Sequence, residues 1–416
     1  MPQASLQPLA PSQRLVLLDA VRAVALAGIL MMNLEAFNGT VLASGTGLDL
    51  SLAGADRWVD GLVYFFVQGK FFTLFSLLFG MGFAVMGDRA EAAGRPFAGF
   101  YFRRCLALGV IGVLHATLVW GGDILASYAL AGLCLLPFAQ ARARWLLFPG
   151  IMLFLAAPAM IMVYGLLAWA SSLDAQAATA WDQAMGQQSG RISALIAQAD
   201  QAYAHGGWIE VMQVRLQEWG VSLSALPVTG PMILGMFLLG GALLRSGAMV
   251  RPQEWPRLLG FLRWGLLPLG MALMAASLAV SPQLPLDRFD LQVATAHALW
   301  MLASGMMSLG YLGWMAYLFS TGPGARLAAW LAPAGRMALS NYLLQSLVCT
   351  LLFYGYGLGW YGQVPRAWQP LLVLGVFLAQ LLLSHAWLAR FRFGPMEWVW
   401  RCLSYLRLQP MRRAAA

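Results

Sequence analysis

Charge is what this chain has least of. Of its 416 residues 10% are Asp, Glu, Lys or Arg and 60% are apolar, whereas an ordinary soluble domain is roughly 25% charged. So composed, it reads as an integral membrane protein. Lysine is almost missing: Lys70 is the single lysine among 26 basic residues. Cysteine is sparse as well. Cys105, Cys134, Cys349 and Cys402 show no CxxC or other ligand spacing, so they read as packing residues, and neither a disulfide framework nor a metal site is expected. The first dozen residues lack the basic stretch, short apolar core and small-residue site of a cleaved leader, so the first apolar run is expected to remain as a helix. The net charge of +9 does not imply a nucleic-acid partner, because the arginines sit at the ends of apolar runs, where membrane topology puts them.

Long apolar runs are what the chain does have. A spanning helix needs about 20 apolar residues, and ten segments qualify: 15–37, 61–86, 103–120, 123–139, 145–170, 221–245, 257–281, 293–320, 333–354 and 367–390. The expected fold is all-α and polytopic, a single membrane domain over 1–416 with both termini cytoplasmic. Loop charge supports that orientation. Of the loop arginines, only Arg57, Arg191, Arg215, Arg288 and Arg366 fall outside, where acids such as Asp49, Asp60, Asp200 and Glu218 collect. The one long loop, 171–220, is expected to form amphipathic helices on the periplasmic face, as a cap or as a connector. Residues 391–416 form a cytoplasmic tail, in which FRFGPMEWVWR reads as an amphipathic helix beginning near Pro395.

Ionisable groups inside such segments are costly and face a partner or a cavity. Asp19 and Arg22 are three apart on the first helix and can pair, which reads as a structural ion pair. Asn33 lies near the outer end of the same helix. On a continuous helix over 61–86, Lys70 would sit about 13 Å from the outer end and face an acid, carbonyls or an anionic ligand. The hairpin Tyr101–Leu133 carries Arg103 and Arg104 at its start, His115 deep in its first arm and Asp123 just beyond the Trp120-Gly121-Gly122 break. His115 and Asp123 can therefore meet near the outer boundary, as a base with its orienting carboxylate or as a bridge between helices. In LAPAGRMALSNYLLQS, the spacing of Arg336, Ser340, Asn341 and Gln345 puts a polar stripe on one side of a helix, facing a cavity or a sister helix.

The motifs LDAVRAVALAGILMMN, GKFFTLFSLLFGMGF, RRCLALGVIGVLHATLVWGGDILASYALAGL, GRMALSNYLLQS and FRFGPMEWVWR together resemble the YeiB-like bacterial inner-membrane family, a domain of unknown function, over nearly the whole chain. The Leu-Asp-x-x-Arg core of the first motif is also similar to the lysosomal heparan-glucosaminide acetyltransferase and its bacterial relatives. Those proteins pass an acyl group from cytosolic acyl-CoA to an acceptor across the membrane. Asp19 and Arg22 match that shared motif. The histidine regarded as catalytic in the lysosomal enzyme precedes its second span, and the corresponding SLAGADRWVDG here has none, so His115 would have to supply the base.

Two functions follow as expectations. In an acyltransferase His115 is the base and Asp123 its partner, while Asn33 and Lys70 contact substrate or oxyanion. Arg103, Arg104, Arg142 and Arg144 hold the phosphates of acyl-CoA, and the acceptor is a periplasmic glycan, lipid or envelope polymer. In a transporter or flippase Lys70, His115, Asp123, Arg336 and Asn341 line a path for an anionic or lipidic solute, with Gln345 on the same stripe. Membrane lipid is a partner under both readings, and a homodimer is left open.

Overall fold

The computed structural model describes residues 15–413; Arg14, which the sequence assigns to an inner segment, lies outside them. In chain order the helices are α1 (Val16–Asn38), α2 (Gly54–Phe66), α3 (Lys70–Ala92), α4 (Ala98–Leu118), α5 (Leu125–Leu133), α6 (Ala143–Ser171), α7 (Ala175–His205) and α8 (Trp208–Ser224). There follow α9 (Leu226–Arg245), α10 (Pro256–Phe261), α11 (Leu267–Val280), α12 (Leu291–Leu318), α13 (Gly322–Arg336), α14 (Ala338–Phe353), α15 (Gln369–Arg390) and α16 (Pro395–Tyr405). Among the described residues β-structure is limited to isolated bridges. The chain is an all-α, multi-pass membrane protein. Among the described residues seven helical segments are long and apolar enough to cross a bilayer, and α12 has the length at 28 residues.

Three expected spans differ. The 123–139 segment is α-helical only over the nine residues of α5, about 13 Å of rise, and continues through a 3₁₀ turn at Leu136–Phe138. Its last carbonyls are held by Arg245, which donates to Phe138, Ala139 and Ala141. The 333–354 segment breaks at Met337, whose ψ of 31° leaves the helix. Arg336 therefore ends α13, and Asn341 and Gln345 belong to α14.

The 61–86 segment is broken as well. Gly69 takes a left-handed φ of 81° between α2 and α3, and a Cβ there would meet Ser304 Oγ and the Trp300 ring at 2.7 Å. Only glycine satisfies both constraints. Lys70 is consequently the first residue of α3. It is not mid-helix, as continuity would have placed it.

The helices pack in a bundle whose lipid-facing sides are apolar: α6 exposes Phe148, Met152, Leu155, Val163 and Leu167. One apolar core joins α3, α6, α9 and α12 through Leu74, Leu77, Phe154, Met236 and Met301. A second joins α1 to the α4–α5 hairpin and α14 through Leu26, Ile29, Leu108, Tyr128 and Tyr342. In α11 Pro268 cannot donate to the helical ladder, and the turn before it, Leu262–Leu266, widens to a π-helix.

One end of the bundle carries Asp19, Arg22, Arg104, Arg336 and α16, and is called here the basic end. At the opposite, acidic end Arg366 donates to Glu35 at 2.7 Å and Asp60 at 3.1 Å, tying α1, α2 and the start of α15 together. There α7 and α8 pair and cover the tip of the α4–α5 hairpin. Asp174 caps α7 by accepting from the Ala177 amide. The inner face of α8 is the buried stripe Val211, Val214, Arg215 and Glu218, at the i, i+3, i+4, i+7 spacing that one helical face requires.

Candidate functional site

His115 lies in the last turn of α4, and Asp123 follows the hairpin turn. Their side chains meet, with His115 Nδ1 2.7 Å from Asp123 Oδ2 and both residues buried. The other carboxylate oxygen accepts the Ala126 amide at 3.0 Å and so caps α5. One aspartate thereby fixes the start of a helix and the orientation of an imidazole. The hairpin closes tightly because residue 112 is glycine: a Cβ there would crowd Asp123 Oδ1 at 2.9 Å and the Ala126 amide.

A carboxylate only accepts, so the proton of this hydrogen bond sits on Nδ1, and in the neutral imidazole the lone pair is then on Nε2. Nε2 is buried and meets no hydrogen-bond partner. A buried polar atom left unpaired in a packed interior costs free energy, and here that atom is the basic nitrogen of a histidine. Tyr342 of α14 packs its ring 5.2 Å from the imidazole, and Trp120 lies 6.5 Å away on the other side.

A cavity of about 320 Å³ runs from the basic end toward this dyad. It lies between α1, α3, the α4–α5 hairpin and α14. Leu26, Ile29, Phe75, Phe79, Tyr128 and Tyr342 form its apolar walls, and Ile124 and Leu125 line it beside Asp123. Tyr342 thus faces the cavity and touches His115. Five arginines, Arg22, Arg104, Arg336, Arg392 and Arg401, surround the mouth with only Asp19 and Glu397 as counter-charges.

Both acids are already engaged. Asp19 accepts from Arg22 at 2.6 Å, and Glu397 accepts the Ser340 amide at 3.0 Å and its hydroxyl at 2.5 Å. Burial raises the Glu397 carboxyl above the usual carboxylate range. Arg104 stacks 3.5 Å above Trp400, whose indole donates to the Arg104 carbonyl. Guanidinium groups converging at a low-dielectric funnel suit phosphate, which accepts their paired donors. From Arg104 to His115 is eleven residues of one helix, about 16 Å, a span that an extended pantetheine arm covers.

The residues singled out in the sequence thus divide. Asp19, Arg22, Arg104 and Arg336 line the cavity, and His115 and Asp123 lie behind its wall residues Ile124, Leu125 and Tyr342. Asn33 continues the Arg22, Leu26, Ile29 face of α1 one turn beyond the cavity. Arg103 instead donates to the Ser404 carbonyl and holds α16, while Arg142 and Arg144 are exposed away from the mouth. Lys70 Nζ donates to the Tyr64 carbonyl at 2.9 Å, lies 3.4 Å from Met274 Sδ, and so caps α2 away from the cavity. Asn341 donates to the Ala334 carbonyl and Ser384, Gln345 donates to Gln380, and Gln380 returns to the Asn341 carbonyl. That buried ladder joins α14 to α15. Sequence reasoning missed Arg392, Trp400 and Arg401, whose only signal was the basic, aromatic composition of FRFGPMEWVWR.

Residues 243–407 match the family described as "Protein of unknown function (DUF418)". The chain is 33% identical over 431 aligned residues to uncharacterized protein YxaH of Bacillus subtilis, covering 99% of both chains. It is 34% identical to uncharacterized protein YeiB of Escherichia coli, covering 94% of this chain and 96% of that one. No solved structure matches. With full-length relatives at this identity, and with the family's own region spanning the second half of the bundle, this chain belongs to the YeiB-like DUF418 family.

Proposed function

We propose that the protein is a bacterial inner-membrane acyltransferase that takes an acyl group from acyl-CoA on its basic, cytoplasmic side and transfers it to an acceptor reached from the periplasmic side. The observation that carries this reading is the unpartnered, buried Nε2 of His115, oriented by Asp123 and packed against Tyr342, a wall residue of the arginine-mouthed cavity. The donor's phosphates rest among Arg22, Arg104, Arg336, Arg392 and Arg401, and its thioester arm extends between α1 and the hairpin.

The acceptor hydroxyl attacks the thioester carbonyl carbon as His115 Nε2 takes its proton. The tetrahedral intermediate collapses, the carbon–sulfur bond breaks, and the departing sulfur takes the proton back from Nε2. Asp123 stabilises the transient imidazolium, in the way a buried carboxylate does in other histidine-based acyl transfers.

A transporter or flippase would draw instead on discontinuous helices meeting near the bilayer middle. Gly69 packs on Trp300 and Ser304 of α12 while Gly335, beside Met337, packs on Asp19 of α1, so the two breaks do not meet at one site and the enzyme reading is preferred. Purified protein in nanodiscs, given radiolabelled acetyl-CoA, tests it: wild type turns over the thioester, and His115→Gln loses at least about 100-fold in rate while inserting normally. Turnover by His115→Gln at the wild-type rate would remove His115 from the chemistry.

A further inference from the structure

The cavity approaches the dyad from the basic end and stops at Ile124, Leu125 and Tyr342; at the acidic end the hairpin tip is roofed by α8. Arg215 donates to the Leu118 carbonyl at 2.9 Å and to the Tyr356 hydroxyl at 2.6 Å. Its backbone lies 3.3 Å from where a side chain on Gly121 would begin. Glu218, one turn on, receives the Tyr203 hydroxyl. Arg215 and Glu218 are both fully buried, an unusual cost for two charged residues in an extramembrane helix.

Beneath this roof polar atoms stand unpaired. Arg215 Nε, Trp120 Nε1 and Tyr354 Oη complete no hydrogen bond. Glu218 Oε1 completes none either, though the amides of Val41 and Leu42 lie near its carboxyl group. Trp120, Tyr203 and Tyr354 share one buried cluster with Val211 and Val214, and the Trp120 ring lies 6.5 Å from that of His115. Unpaired polar atoms therefore continue from the base to the roof.

We propose that the hairpin tip beneath α8 is a second binding subsite, for the uncharged, hydroxyl-bearing headgroup of the acceptor, opened when the α7–α8 pair lifts. The unpaired set mixes donors with an acceptor, and its two charges compensate each other. An anion would leave Glu218 opposed, and an ammonium would leave Arg215 and the indole opposed. A hydroxyl both donates and accepts, and so meets each of them. Trp120 and Tyr354 flank the site, their rings stacked on Phe37 and Tyr203. The subsite's role as acceptor site rests on the acyl-transfer reading, but its existence and its lid do not.

The test reads the lid without reading turnover. Val214 faces inward on α8 and is buried, so Val214→Cys in full-length protein lacking its four native cysteines reports lifting through its rate of reaction with a membrane-impermeant maleimide. Arg215→Gln in that background removes a charged hydrogen bond to the hairpin and should speed labelling by roughly tenfold. Glu218→Gln is the companion should Arg215→Gln not fold: it removes the buried carboxylate charge and should slow labelling at neutral pH. Methyl glucoside should slow labelling, and inorganic phosphate at equal ionic strength should not. Unchanged rates in both lid variants would overturn the lid. Protection by phosphate, or none by the glucoside, would overturn the hydroxyl subsite. Acetyl-CoA binding measured on the same samples separates either failure from failure of the acyl-transfer reading.

Discussion

At the scale of single residues, Asp123 does two things that sequence spacing allows but does not require. It caps α5 through the Ala126 amide and sets the tautomer of His115. Asparagine in its place keeps an oxygen for one of these bonds but offers a neutral amide where the imidazolium needs a charge. Asp123→Asn should therefore lower turnover by about 10²- to 10⁴-fold and leave acyl-CoA affinity near wild type. Single-turnover kinetics beside equilibrium binding separates the two, and a matched loss of affinity would contradict this assignment. Lys70 makes the complementary point. A lone lysine in an apolar run had to have a partner, and that partner is a helix-end carbonyl, an aromatic pair and a thioether. The cost was legible in the sequence, but the residue meeting it was not, because Tyr64 comes within reach only when the chain breaks at Gly69.

At the scale of elements, the hairpin carries the dyad and α8 covers its tip. Burial raises the Glu218 carboxyl to about 7, against the opposing hydrogen bond from Tyr203 and the amides of Val41 and Leu42. A carboxyl whose pKa is higher with α8 seated means that the seated state holds its proton more tightly. Seating is thus most favourable at low pH, weakens as pH climbs from the ordinary carboxylate range to about 7, and levels off above. Labelling of Val214→Cys, normalised to an exposed cysteine, should rise severalfold across that window, and Glu218→Gln should flatten the profile. An identical pH profile in Glu218→Gln would assign the change to another group. The 171–220 segment announced helices by composition, but α8's buried Arg215 and Glu218 looked like solvated loop charge. Helical periodicity places residues on a common face and leaves open which faces find a neighbour.

At the scale of the molecule, the basic mouth is assembled from α1, α4, α13, α16 and the chain between α15 and α16. Arg22 and Arg401 are nearly the length of the chain apart in sequence, and no local pattern could group them. If they share one polyanion, affinity for CoA should fall steeply with salt. Arg336→Gln or Arg401→Gln should weaken it by roughly tenfold, the scale of one charged hydrogen bond. The double variant Arg142→Gln/Arg144→Gln should bind as wild type, since both residues lie off the cavity. Isothermal titration in nanodiscs checks each, and equal losses in the Arg142/Arg144 variant would move the phosphate site.

The sequence by itself determined the class and the family, and it allowed the pairing of His115 with Asp123. Each follows from local composition or from a separation short enough for one turn to close. Only the tertiary structure decided that the 123–139 segment is helical in two short pieces, that Arg336 parts company with Asn341, and that five arginines meet at one cavity. Those facts depend on where non-adjacent helices pack, and in an apolar chain many packings satisfy the same hydropathy. The buried polar atoms discriminate among them, because each must find a partner, or a ligand, that the chain's order does not name.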